Sequence, residues 1–233
     1  IEVPKYTVVY NGNGATGGST ASSIHTYSVA KNLTANGYER KYIVTYNHNY
    51  TGSTNTSKTA TYTFKNWNTV ANGSGTSYAN SASVNNLATS GTFNLYAQWT
   101  SSSVNYTPTR TGYTFGGWYR EAACTNQVTP ANDTTYTPTA NITLYAKWTA
   151  NKYAYTVNYL EKDTNRVLHT AKVDRNKTYG TQVLGISEKI DIDGFYYESS
   201  NDITITEIEA NNIINIYYEK RHDLSYIIKY LEK

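Results

Sequence analysis

Leu95, Ala97 and Trp99 alternate with Tyr96, Gln98 and Thr100. Forty-nine residues later Leu144, Ala146 and Trp148 alternate with Tyr145, Lys147 and Thr149 in the same way. A period of two sends the two sets to opposite faces of a β-strand, and the Leu/Ala/Trp set predicts the inward face. Each closing strand has an opener, Tyr62-Thr63-Phe64-Lys65-Asn66-Trp67 in the first copy and Tyr113-Thr114-Phe115-Gly116-Gly117-Trp118 in the second, with the opening tryptophans 51 residues apart. Self-similarity at a near-fixed period marks a repeat array. All four tryptophans of the chain fall in these two copies. Gly116-Gly117 predicts a bulge just before Trp118, which would otherwise point off the face of Tyr113 and Phe115.

The same alternation places other strands. Tyr6–Tyr10 is followed by a glycine-rich turn over 11–18, and Tyr42–Tyr46 echoes it 36 residues on. Thr59 to Phe64 predicts a third strand leading into Trp67, and neighbouring strands separated by such polar turns read as antiparallel hairpins. Ser28 to Leu33 predicts one helical turn, with Val29 and Leu33 on one side. The first copy carries extra sequence over 36–60. The second copy is short of sheet, with no counterpart of the Tyr6 strand, and is expected to pair against the first copy or the domain after it. Beyond residue 150, Tyr155–Lys162 alternates again, Ile213–Tyr218 closes with Ile214, Ile216 and Tyr218 on one face, and Tyr226–Lys233 restarts the pattern at a spacing of 71 residues.

Composition narrows the class. Fifteen Gly, four Pro, 25 Tyr and abundant Thr, Ser and Asn favour strands and polar turns over long helices. A chain of 233 residues suits two or three small domains. A module of ~60 residues buries only about 60% of its unfolded surface and leans on its neighbours. Residues 1–150 carry nine Lys/Arg and four Asp/Glu, whereas 151–233 carry eleven and thirteen, so the charge density jumps near residue 150 and marks a boundary. The divisions expected are 1–100 (first repeat with insertion), 101–150 (second, shortened repeat), 151–221 (a third module) and 222–233 (the start of a further copy). No apolar run reaches the ~20 residues of a membrane span. The absence of methionine predicts an excerpt of a longer protein, with export signals and anchors outside it.

Residues 6–149 resemble the Listeria–Bacteroides repeat, the internalin B-repeat type. The resemblance is carried by Pro108 to Trp118 and Leu144 to Thr149, with the first copy matching at Tyr6–Gly14, Tyr62–Trp67 and Leu95–Thr100. Residues 155–220 are similar to the MucBP (mucin-binding-protein) repeat through the Tyr155–Leu160 opening, Tyr179-Gly180-Thr181, Asp193-Gly194-Phe195 and Tyr217-Tyr218. These resemblances imply a mainly β chain of tandem β-grasp-like modules in an elongated array, on an extracellular, wall-attached protein of a Gram-positive bacterium. They imply no catalytic residues. Host mucin or another glycoprotein is the partner that the second resemblance implies.

Candidate chemistry is sparse. Gly12-Asn13-Gly14-Ala15-Thr16-Gly17 is a literal GxGxxG after a strand, but no helical periodicity follows to supply the N–H groups a pyrophosphate needs, so it reads as a hairpin loop. His25, His48, His169 and His222 lack metal-ligand spacing. Cys124 is alone, which excludes an intrachain disulfide and reads as a half-buried filler. Glu2, Glu39, Glu121 and Asp133 are too few in the first 150 residues to expect a glycosidase carboxylate pair. Asp191-Ile192-Asp193-Gly194 lacks the further oxygens of a calcium loop. Scattered basic residues argue against a nucleic-acid surface. A Lys–Asn isopeptide bond would need both partners buried on adjacent strands. The chain is therefore expected to use no cofactor and no metal and to be no enzyme. The tryptophans are expected to plug cores, and Tyr96, Tyr145, Tyr196, Tyr197 and Tyr218 are the candidate exposed platforms for a ligand. The expectation is a non-enzymatic stalk supporting adhesion. Its alternatives are direct mucin or glycan binding by residues 151–221 and, less favoured, a carbohydrate-active enzyme.

Overall fold

The structure is a computed structural model that describes residues 2–223; the restart expected at Tyr226–Lys233 lies outside them. The fold is mainly β. Among the described residues there is no α-helix, and the only helical pieces are the 3-10 turns Gly185–Glu188 and Glu209–Asn211. The helical turn expected over 28–33 is replaced by a hydrogen-bonded turn at Tyr27–Ser28 and a short strand, Lys31–Asn32, paired with Ser83–Val84. Leu33 turns into the core there while Val29 stays in water. The described residues separate into two compact units, one made of 2–108 with Gly116–Lys147 and the other of Thr109–Phe115 with 148–223.

The first unit is built on strands β1 (Lys5–Asn11), β2 (Ser23–Thr26), β3 (Tyr38–Asn47), β4 (Thr56–Asn68), β5 (Gly91–Thr100), β6 (Tyr113–Tyr119) and β7 (Ile142–Ala150), the last two running on into the second unit. Their order in the sheet is β6-β7-β3-β4-β5-β1-β2. Two modules can be read from this order. In module A, β2 pairs antiparallel with β1, β1 runs parallel to the closing strand β5, and β5 pairs with the half of β4 that carries Trp67. In module B, the first half of β4 pairs antiparallel with β3, β3 runs parallel to the closing strand β7, and β7 neighbours β6, which carries Trp118.

The registers match residue for residue. Thr7 faces Ile24 as Ile43 faces Thr59, and Tyr10 lies beside Leu95 as Tyr46 lies beside Leu144. The second copy therefore does not lack an opening strand. Its opening hairpin is the extra sequence that the alternation assigned to the first copy, and Tyr42–Tyr46 is the counterpart of Tyr6–Tyr10. The two modules are interleaved along the chain, the front of A, the front of B, the back of A and the back of B following in that order. The alternation of β3 was readable, but nothing in a period of two says which strand will be its neighbour.

Each module closes on one fully buried indole. Trp67 and Trp118 are both 0% exposed. Trp67 lies against Tyr10 at 4.8 Å and 55°, and Trp118 against Tyr46 at 4.7 Å and 53°. Burying an indole of 150–250 Å² is worth roughly 4–6 kcal/mol before ordering costs. A register shift between Phe64 and Asn66 and a φ of +108° at Gly117 rotate both tryptophans back onto the core face, the bulge that the Gly-Gly pair predicts. Trp99 and Trp148 are only half-buried, edge-on to Phe64 and Phe115.

The second unit repeats the plan as module C, with β8 (Lys152–Glu161), β9 (Val167–Thr178), β10 (Phe195–Ser200) and β11 (Ile213–Lys220) in the order β9-β8-β11-β10. Here too the first and closing strands, β8 and β11, are parallel neighbours. With no α-helix to cover the sheet, Val183 of a short strand paired with Ile203–Thr204, and Ile205 just after that pair, complete a core around Tyr155, Val157, Tyr159, Ile214, Ile216 and Tyr218.

Candidate functional site

The structure gathers three of the five candidate tyrosines and leaves two apart. Tyr96 lies on β5 and Tyr145 on β7, both half-buried beside the ends of β1 and β3. Tyr196, Tyr197 and Tyr218 line one cleft of about 330 Å³ in module C, with the turn over 189–195 forming its other wall.

Within that cleft the roles separate. Tyr196 is the exposed ring, at 45%. Its phenol pKa is raised by a hydrogen bond to Glu219. Tyr197 is half-buried, its hydroxyl 3.0 Å from Ser200 Oγ, and the Lys189 ammonium sits 5.7 Å from its ring centre. Tyr218 corrects the expectation of a platform. At 1% exposure it belongs to the core, as its alternation with Ile214 and Ile216 implies. Its hydroxyl donates to the Ile190 carbonyl at 2.9 Å and accepts from the Ile190 N–H at 3.0 Å, and burial pushes its pKa up. It fastens the cleft wall to the sheet. That wall turns at Gly194, whose φ of +79° and carbonyl bond from the Arg221 N–H bring Asp191, Asp193 and Arg221 to the rim. The Arg221 guanidinium is forked onto Asp223 at 3.0 and 2.8 Å.

Lys189 and Arg221 were not among the residues singled out from sequence. Lys189 is followed by alternating Ile and Asp, and Arg221 follows the strand end, so neither carries a periodic signal. The cleft offers an aromatic face, two cations and two carboxylates. That set is suited to hydrogen-bonding and stacking.

Away from the cleft, Glu188, Glu121 and Cys124 are held by local hydrogen bonds. Glu188 is tied by the Tyr155 hydroxyl at 2.9 Å and by Lys172. Burial would raise its pKa, but the hydrogen bonds from Lys172 and Tyr155 outweigh that and hold it below the usual carboxylate range. Tyr155 is pushed up to about 12, by burial first and then by Glu188. Glu121 accepts from Thr125 and Asn126 and is held at about 2. Cys124 is half-buried beside Asn49, and burial raises its thiol pKa, which leaves it in its less reactive form.

His25 is fully buried on β2. The GxGxxG stretch forms a loop whose later part, Gly17–Gly18, pairs with β3, and no helix follows it. Among the described residues no three His, Cys, Asp or Glu side chains converge, no lysine is buried as an isopeptide bond would require, and no helix is long and apolar enough to cross a membrane.

The back of module B, with its fully buried Trp118 and closing strand β7, is the segment that comparison with known families picks out. Residues 99–147 match the Listeria-Bacteroides repeat domain. The match covers the contiguous back of module B and stops short of its opening hairpin, which lies upstream in residues 38–62. No curated protein and no solved structure matches the chain. The resemblance stated for residues 155–220 is not among the matches.

Proposed function

We propose that this chain is a spacer segment of a bacterial cell-surface protein, extracellular and non-enzymatic, whose small β-modules hold an adhesive region away from the wall. The observation that carries the reading is the equivalence of modules A and B down to their buried indoles, Trp67 and Trp118, each at 0% exposure against the matching Tyr10 and Tyr46. The opening tryptophan of each copy is used up in making a core, which supports architecture as the task. The Listeria-Bacteroides match supports a surface-protein repeat region. In such arrays each unit leans on its neighbours and length comes from copy number. Small-angle scattering of the purified chain tests this: an extended particle is expected, and a compact one, or turnover of any polysaccharide, would sink it.

A second reading is favoured by the cleft at Tyr196, Tyr197 and Lys189. In it, module C, which resembles the MucBP repeat, binds mucin or another glycoprotein by stacking sugars on the exposed ring. Weak contacts of this kind add through effective concentration when modules are linked. Binding of the chain to immobilised mucin, lost in Tyr196→Ala, supports adhesion; silence of the unaltered chain on mucin and on a glycan array removes it.

A further inference from the structure

We infer that modules A and B form a single all-or-none mechanical unit, in which the strand they share makes tension along the chain open both together. The inference takes the spacer reading as its setting, but it rests on topology alone. Strand β4 is 13 residues long and continuous. From Thr56 to Tyr62 its ladder partner is β3 of module B, and from Thr63 to Asn68 its partner is β5 of module A. The change of owner takes place between two adjacent residues. Ala60 is 0% exposed, and Tyr62 donates its hydroxyl to the Pro138 carbonyl at 2.7 Å, a buried bond inside module B. Five residues on, Trp67 is the plug of module A. Module A cannot lose its tryptophan strand without pulling on the strand that flanks β3, and module B cannot release β3 without stripping one edge from β4.

The ends of both modules add to this. In A the first strand β1 and the closing strand β5 lie parallel and side by side, aligned from Tyr6–Gly91 to Asn11–Tyr96. In B the strands β3 and β7 do the same from Val44–Ile142 to Asn47–Tyr145. Pulling the start of one parallel strand against the finish of its neighbour slides them past each other, so the ladder bonds are loaded together instead of one at a time. Past the end of each first strand, an asparagine with left-handed backbone, Asn13 in A and Asn49 in B, donates its side-chain amide to a carbonyl of the closing strand, Ala97 or Ala146. Contacts shared in this way define one cooperative unit, not two.

The test is to stretch the full chain between handles at its two ends and record the contour length released per event. The expected result is one event that releases modules A and B together, at least about 50 nm at up to ~3.6 Å per residue. Two events of about half that size would overturn the inference. A bulk measurement gives a second arm. With Trp118→Phe and Trp148→Phe, emission comes from Trp67 and Trp99 of module A alone. In that background Tyr46→Ala, a change confined to module B, is expected to lower the urea midpoint of the module A signal. An unmoved midpoint would overturn the coupling. A compact particle in scattering would remove the spacer reading and leave this one standing, whereas two rips would do the reverse.

Discussion

Asn49 is the residue whose replacement separates backbone strain from hydrogen bonding in module B. It sits at φ +59°, and its amide donates to the Ala122 carbonyl at 3.0 Å and the Ala146 carbonyl at 3.1 Å. Asn49→Gly keeps the left-handed backbone free of strain and deletes both donors. At roughly 0.5–1.5 kcal/mol net per hydrogen bond, the loss is about 2 kcal/mol. Asn49→Ala deletes the same bonds and forces a Cβ into the left-handed region, which adds about 1–2 kcal/mol. With a urea slope of about 1–3 kcal/mol/M, the glycine variant should shift the midpoint down by about 1 M and the alanine variant clearly further. Three of the four tryptophans, Trp67, Trp99 and Trp118, lie in the first unit, so intrinsic fluorescence of the full chain in a urea titration chiefly follows modules A and B without fragmenting the protein. A glycine variant within about 0.5 kcal/mol of the parent would refute the role given to the two amide bonds. An alanine variant no worse than glycine would refute the strain argument.

Three further outcomes are expected. The Trp67 indole N–H is buried without a partner, whereas that of Trp118 donates to the Tyr106 carbonyl at 2.8 Å. Trp118→Phe should therefore cost about 1–3 kcal/mol more than Trp67→Phe, because it alone leaves a carbonyl unpaired, as read by urea melts followed by circular dichroism. His25 is buried on Ser23 Oγ at 2.8 Å with Nδ1 unpartnered, and burial, then nearby Lys31, lowers its pKa. Its folded pKa lies below its unfolded one, so the unfolded chain takes up the proton first and stability falls as pH drops below about 6.5. The fluorescence midpoint should fall between pH 7 and 5.5, and His25→Gln should flatten that slope. Gly112 has φ +74°, and a Cβ there would come within 2.4 Å of the Tyr179 ring, so Gly112→Ala should lower the thermal midpoint of module C; an unchanged near-ultraviolet tyrosine melt would refute this.

Much of the fold was legible. The closing strands at Leu95–Trp99, Leu144–Trp148 and Ile214–Tyr218 alternate strictly and run as expected, since a strand with one buried face must write its pattern into the sequence. The order of the halves was not legible. Tyr42–Tyr46 echoes Tyr6–Tyr10, yet β3 finds its parallel partner almost a hundred residues later at Ile142–Tyr145, and alternation carries no information on such long-range pairing. In the cleft, Tyr196 reads correctly as exposed, because it falls out of phase with the buried set. Tyr218 reads correctly as core from its own strand, and only its aromatic chemistry suggested a platform. Lys189 and Arg221 lie in turns, where position is set by tertiary contacts such as the bond from Arg221 N–H to the Gly194 carbonyl.

The shared strand β4 also sets a rule for how this gene segment can grow or shrink. Because halves of the two copies are interdigitated, modules are gained or lost whole only where one front and one back go together. A crossover that deleted the stretch between Trp67 and Trp118, or duplicated it, would leave an orphaned front or back half. Removing or repeating roughly residues 38–100, the front of B with the back of A, instead changes the number of modules by one and leaves every remaining front with a back.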